Sequence, residues 1–185
     1  MAYFPMFYNL ENRRVLVVGG GKIATEKLEK IVQFTKDITV IAKELSKEAY
    51  YLTKTHCLSV YSRAYRVGDI EGFDIVVVAT DDIKLQESIY SESRGKDILV
   101  NSVDNVKFCD FIFPSFIKKG DLTVAISTSG ASPAFAKHFK IRVEEIIPND
   151  IEEFLSKLKD LRASMPKGVE RMQHLESLVE EYLFK

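Results

Sequence analysis

From Val15 to Val18 an apolar run empties into Gly19, Gly20 and Gly21, and a helical pattern follows through Lys22, Ile23, Ala24 and Lys27. Residues of these types in this order can hold a dinucleotide by its pyrophosphate. Gly19, Gly21 and Ala24 satisfy the G-x-G-x-x-G/A spacing, with Gly20 as an extra. In that scheme Gly19 makes the tight turn, Gly21 lets the backbone approach the phosphates, and Ala24 lets the helix lie close to its strand. The unpaired first-turn amides around Lys22 and Ile23 then point at the anion. A bare glycine triplet is also an ordinary turn, and the flanking strand and helix are what make it a cofactor loop.

The ribose side is less explicit. The second strand, residues 38–42, leads through Ala42 to Lys43 and Glu44. Glu44 comes late for a ribose ligand and suits a cap on the next helix equally well, while Lys43 could face a 2′-phosphate or solvent. NAD and NADP both stay open. Two further strand ends carry chemistry. Thr80-Asp81-Asp82 follows the apolar run 74–79, with Thr80 and Asp81 placed for the cofactor and Asp82 for a helix cap or a ribose. Asn101, Ser102 and Asp104 follow residues 97–100. A carboxylate at Asp104 could take a proton while the cofactor accepts hydride. Asp104-Asn105 could equally be a side-chain-to-backbone turn, with Asn101 and Ser102 closing the loop.

A second cluster is small, polar and basic. Ser127, Ser129, Gly130 and Ser132 precede Pro133, a good helix start, and Lys137 and His138 lie one turn into that helix. With Lys118, Lys119, Lys140 and Arg142 they suit a carboxylate-rich substrate, or a solvated charged face. Cys57 and Cys109 form no CxxC pair and the three histidines no HExxH, so no metal site is expected. Cys57 is read as buried and His56 as exposed.

These groups are positioned by an α/β pattern: a Rossmann-like parallel sheet followed by a small strand pair and a helical C-terminal region. Strands are expected at 14–18, 38–42, 58–61, 74–79 and 97–100, with helices at 22–34, at 46–53 and after Asp82. The pair 111–117 and 122–127 reads as antiparallel, joined through Lys118-Lys119-Gly120-Asp121. A helix then aligns Phe135, Phe139, Val143 and Ile146; another starts at Asp150 with Glu153 as a capping box, and a third aligns Val169, Met172, Leu175 and Val179. These stripes are read as core and subunit contacts. The domains are expected at 1–110, 111–147 and 148–185.

With 26 basic and 27 acidic residues among 185, the net charge of −1 argues against nucleic acid as a partner. The start, with Tyr3, Phe4, Phe7 and Tyr8, has no basic region of a leader and reads as an edge strand or plug. No stretch could span a bilayer, so a cytoplasmic protein is expected.

On this series of motifs the chain resembles the precorrin-2 dehydrogenase and sirohydrochlorin ferrochelatase family, including the N-terminal part of bacterial sirohaem synthase. The telling pieces are Phe4-Pro5-Met6-Phe7, the glycine loop with Lys27, Ala79-Thr80-Asp81-Asp82, Asn101-Ser102-Val103-Asp104, Phe111-Ile112-Phe113-Pro114-Ser115 and residues 124–133. The resemblance implies NAD-dependent oxidation of precorrin-2 to sirohydrochlorin by a homodimer whose regions build a cleft. It matches Asp104 to the essential aspartate and residues 127–132 to a loop lining the tetrapyrrole. It implies ribose recognition by backbone around residues 41–43. Iron insertion, with Fe2+ as substrate, is an activity of some relatives only, and a non-catalytic NAD- or tetrapyrrole-binding protein is the other alternative. No methyltransferase stretch follows, so methylation of the precursor is expected elsewhere. Cys109 and Asp110 stand where relatives commonly carry small neutral residues, and Asp110 could simply adjust the turn.

Overall fold

Apolar runs without polar alternation suit strands covered on both faces. Val15–Val18 (β1), Ile38–Ala42 (β2), Ser59–Ser62 (β3), Ile75–Val78 (β4) and Leu99–Ser102 (β5) pair in parallel in the order β3-β2-β1-β4-β5. The computed structural model describes residues 3–184; Met1, Ala2 and Lys185, at the outer limits of the first and last expected domains, lie outside it. Every residue of β1 and β4 is buried. Helices Lys22–Ile31 (α1), Lys47–Thr55 (α2) and Ile83–Ser93 (α3) cover the sheet. Leu16, Val18, Val76, Val78 and Val100 pack with Ile89 of α3. The right-handed crossover rule places α1 on the opposite face. Each such buried aliphatic side chain contributes about 1.5–3 kcal/mol, against about 0.2–1 kcal/mol for a partly exposed ion pair, so the two central strands dominate the stability of this unit.

Strand order reverses between β1 and β4, where Val18 lies opposite Val78 and the amide of Ala79 donates to Val18 O at 2.7 Å. Such a switch point leaves a crevice at the carboxyl ends of the strands. β5 starts later than expected, so Asn101 and Ser102 are strand residues, buried at 5% and 2% exposure. α1 ends at Ile31, and the Gln33 and Lys36 side chains donate to the carbonyls of Glu29 and Val32 there, at 2.9 and 2.7 Å.

Two sequence expectations for this unit are corrected. Cys57 is exposed, because it is the left-handed residue (φ 54°) that ends α2: its amide donates to Lys54 O and that of Leu58 to Thr53 O, a Schellman pair. Phe4, Met6, Phe7 and Tyr8 are exposed and form no strand. Pro5 lacks a ladder donor, and the β5 edge is covered by residues 109–110 instead.

Residues 113–184 belong to a second unit. Ser115–Lys119 (β6) and Leu122–Ile126 (β7) form an antiparallel hairpin around Gly120 (φ 56°) and Asp121, followed by Pro133–Ile146 (α4), Ile151–Ser164 (α5) and Val169–Leu183 (α6). Tyr182 stacks on Phe154 at 3.7 Å and donates to Asp150 Oδ1 at 2.7 Å. That bond, with Glu153 paired to Lys157, replaces the expected capping box. The expected core role of the α4 stripe is also overturned. Phe135 and Phe139 stack on each other at 5.5 Å yet stay exposed, and Ile146 is 78% exposed. Val169 and Met172 of α6 are exposed as well.

Three aspartates of the sheet unit each receive a backbone N–H and an arginine. The Arg63 bond holds Asp69 below the usual carboxylate range, and the Arg14 amide with Arg13 does so for Asp74. Burial works to raise Asp110, but bonds from Arg94 and the Val100 amide outweigh it and leave it lowered. A carboxylate with a lowered folded value stabilises fully above its unfolded value and loses that contribution as pH falls through the folded one. The urea midpoint should therefore stay level from pH 7 to about 5 and drop below about pH 4. Asp110→Asn should flatten part of that drop; an identical acid profile in the variant would refute the assignment.

Candidate functional site

The glycine loop is shaped by backbone approach from two sides. Gly19 has φ 124°, and a Cβ there would collide with the carbonyl oxygen of Ala79. Gly20 is not an extra: a Cβ there would collide with Glu44 O and lie 2.9 Å from Ala42 Cβ. Gly21 differs, because a Cβ would meet nothing within 4 Å. It is the N-cap of α1, extended at φ −83°, with neither a side-chain cap nor an acidic residue in the first turn. The amides of Lys22, Ile23 and Ala24 thus open an anion-friendly helix start, with Ala24 fully buried beneath them.

The turn after β2 is tied to this loop. Ser46 donates its amide to Gly20 O at 2.7 Å, its hydroxyl lies 3.2 Å from that of Thr25, and it caps α2 through Ala49 N. Ser46, not Glu44, is the cap. Ala42 is buried against the loop, while Lys43 and Glu44 are exposed beside it.

At the end of β4, Thr80 Oγ1 accepts from Asp82 N at 3.3 Å, Asp82 caps α3 through Leu85 N at 3.1 Å, and Asp81 is exposed. Gln86, which sequence reasoning passed over, joins the two strand ends by donating to Thr80 O at 2.7 Å and Val103 O at 3.3 Å. A lone glutamine in a helix carries no sequence signal for that role.

Asp104 sits beyond β5 with φ 55°, a left-handed conformation costing on the order of 1 kcal/mol for a side-chain-bearing residue. It is exposed, and among the described residues its carboxylate accepts no hydrogen bond. The neighbouring Asn105 makes the side-chain bond to backbone, capping the 3-10 turn Val106–Phe108 by accepting from Lys107 N at 3.3 Å. Asn101 lies in β5 with its amide donating to Phe111 O at 2.8 Å and its Oδ1 buried without a partner. Asp110 grips Arg94 at 2.8 and 2.7 Å and accepts from Val100 N at 2.8 Å. Lys27, in the motif but not among the predicted site residues, reaches into this area. Burial pushes its ammonium below the usual lysine range, helped by Lys30 and opposed chiefly by the Asp104 carboxylate.

In the second unit, Thr128 organises the predicted small-residue loop: its Oγ1 accepts from Ser132 N at 3.1 Å and its carbonyl from Ala131 N. Ser129 (φ 51°) and Gly130 (φ 88°) are left-handed, Ser127 Oγ accepts from Ser129 N, and Ser132 caps α4 through Phe135 N. Lys137 and His138 are exposed one turn on, whereas Arg142 is engaged by Glu145 at 2.8 Å. Gly19, Gly21, Lys22, Ile23, Ala42, Lys43, Thr80, Asp81, Asn101 and Asp104 belong to the sheet unit, and the residues from Ser127 to His138 to the other. No group of three metal-ligating side chains occurs among the described residues. No helix there is long and apolar enough to cross a membrane.

Residues 6–115 match the family model described as "Putative NAD(P)-binding", and residues 119–145 the one described as "Sirohaem biosynthesis protein central". The siroheme synthase of Methylococcus capsulatus is 32% identical over 91% of this chain and 36% of its own length. That of Mannheimia succiniciproducens is 34% identical over 82% of this chain and 32% of its own. The chain thus spans about a third of the length of these relatives. A solved structure, SirC, precorrin-2 dehydrogenase, superposes with a TM-score of 0.82 at 26% identity, covering 98% of this chain and 91% of that one. The glycine cradle at the switch point and these matches agree: the chain belongs to the NAD(P)-binding family and resembles the N-terminal dehydrogenase domain of the siroheme synthases.

Proposed function

We propose that this chain is an NAD-dependent dehydrogenase that oxidises precorrin-2 to sirohydrochlorin. The observation that carries the reading is Asp104: its carboxylate is left unspent in the turn after β5, one strand from the switch point, while the neighbouring Asn105 side chain takes the local backbone bond. The residues present fit a dinucleotide. Gly19 and Gly20 leave no room for side chains, Gly21 keeps the approach to the α1 amides open, and the first turn carries no acid to repel phosphates.

Bound there, NAD+ supplies the oxidising power by accepting a hydride from substrate carbon. Lys22 and Ile23 contribute backbone amides to the pyrophosphate. Backbone at Ala42 and Lys43, with Thr80 and Asp81 across the crevice, borders the ribose groups. Asn101 orders the floor of the site through Phe111 O. Asp104 takes the proton that leaves as the hydride departs, so the substrate loses a hydride and a proton, two hydrogen atoms and two electrons in all. Ser127, Ser129, Gly130, Ser132, Lys137 and His138 supply hydroxyls, amides and positive charge for the substrate's carboxylates. A homodimer is part of this proposal, supported by the exposed Phe135, Phe139 and Ile146 of α4.

Asparagine also tolerates the left-handed conformation, so Asp104→Asn tests the base without breaking the turn. Turnover of precorrin-2 with NAD+, followed by absorbance, should fall at least about 100-fold, with NAD+ affinity within about twofold of the parent. Full activity in that variant would sink Asp104 as the base, and tight NAD+ binding with no turnover by the parent at any pH would favour a binding protein. The glycines separate folding from binding. Gly20→Ala should lose roughly 1–3 kcal/mol of stability through overpacking. Gly21→Val should lose about 1 kcal/mol, the preference for glycine over valine at a helix N-cap, and remain folded, yet bind NAD+ at least about tenfold more weakly in calorimetry; unchanged affinity would remove the pyrophosphate from that position.

A further inference from the structure

β5 is an edge strand, and its outward amides are met by side chains rather than by another strand. The segment after the Asp104 loop returns antiparallel along that edge, with Asn101 bridged to Cys109. Asp110 takes the Val100 amide at 2.8 Å and gives its own amide to Val100 O at 2.7 Å. One position on, the Cys109 sulfur takes the next outward amide, Ser102 N, at 3.3 Å. The same sulfur lies 3.0 Å from Ser102 O and 3.3 Å from Asn105 O, both acceptors for its proton, and 3.6 Å from Asn101 Nδ2. Ser102 precedes Asp104 and Asn105 follows it. A single side-chain atom therefore brackets the left-handed residue from both sides.

We propose that Cys109 is a positioning residue for Asp104, its thiol fastening the two ends of the turn so that the carboxylate is presented in one orientation. The proposal rests on the reading of Asp104 as the base. A thiol has one proton and soft, long-range acceptor capacity, so it can give to a carbonyl and receive from Ser102 N at once. Burial pushes the Cys109 thiol up, against the Ser102 amide and the Lys27 charge, which keeps that proton in place at neutral pH. Lys27 faces the same corner from α1, where the Asp104 carboxylate acts on its charge. Serine keeps a donor and an acceptor on a shorter bond and should hold the turn in part; alanine keeps neither.

The test compares the parent with Cys109→Ala, Cys109→Ser, Asp104→Asn and the Cys109→Ala/Asp104→Asn double variant, all as full chains. Hydrogen exchange resolved to the Ser102 amide should quicken at least about tenfold in Cys109→Ala and less in Cys109→Ser, since the capping acceptor is lost. In precorrin-2 turnover, kcat of Cys109→Ala should fall roughly tenfold, as expected for a displaced catalytic group, with NAD+ KM within about twofold and partial recovery in Cys109→Ser. In the Asp104→Asn background the same cysteine change should have no further effect on kcat, because it acts through the group already removed. Parent-like Ser102 exchange, parent-like kcat in Cys109→Ala, or a further tenfold loss in the double variant would each overturn the role of Cys109. Full activity of Asp104→Asn would instead overturn the base, a distinguishable result.

Discussion

Gly19 lies against the carbonyl of Ala79, two backbones sixty residues apart in sequence brought into contact where β1 and β4 end side by side. Only a residue without Cβ permits that approach, and the whole crevice is built outward from it. The Ala79 amide closes on Val18 O, the Gly19 amide on Ile41 O, and the Ser46 amide on Gly20 O, so three strand ends are cross-tied within a few residues of the loop. Such ties make the cradle a property of the sheet rather than of a flexible loop. A preformed anion site at a helix start then costs little ordering when a ligand arrives.

The other rim depends on how an edge strand is finished. Unpaired outward amides invite pairing with another chain, and proteins blunt such edges with charge or cover. Here a carboxylate and a thiol do so on successive outward positions of β5, and Arg94 closes over the carboxylate. The cover folds the intervening residues into a tight turn with Asp104 in the left-handed region. Finishing the edge and shaping the proposed catalytic turn are thus one structural act. Cys109 and Asp110, which along the chain stand only as departures from small neutral residues, carry it.

In the second unit the apolar periodicity of α4 marks something other than a core. Its rings pair with each other and remain open to solvent, and the helix is anchored by Ala136. Periodicity says that a face is apolar; it does not say what covers the face. The same distinction applies at Asp150, where the capping pattern was present but Tyr182, more than thirty residues on, claimed the carboxylate.

Much of the parallel sheet was legible because it is written locally: buried strands in continuous aliphatic runs, helix starts at Ser46, Asp82 and Ser132, and glycine where backbone must come close. The sequence by itself determined the strand-loop-helix junction, the α/β class and the identity of the one carboxylate worth asking about. Tertiary structure alone decided that Gly20 is indispensable, that Asn101 is a strand residue, that Cys57 ends a helix in the open, and that Asn105 rather than Asp104 makes the side-chain bond to backbone. Each of those outcomes hangs on a partner distant in the chain or on a backbone angle, and spacing along a sequence records neither.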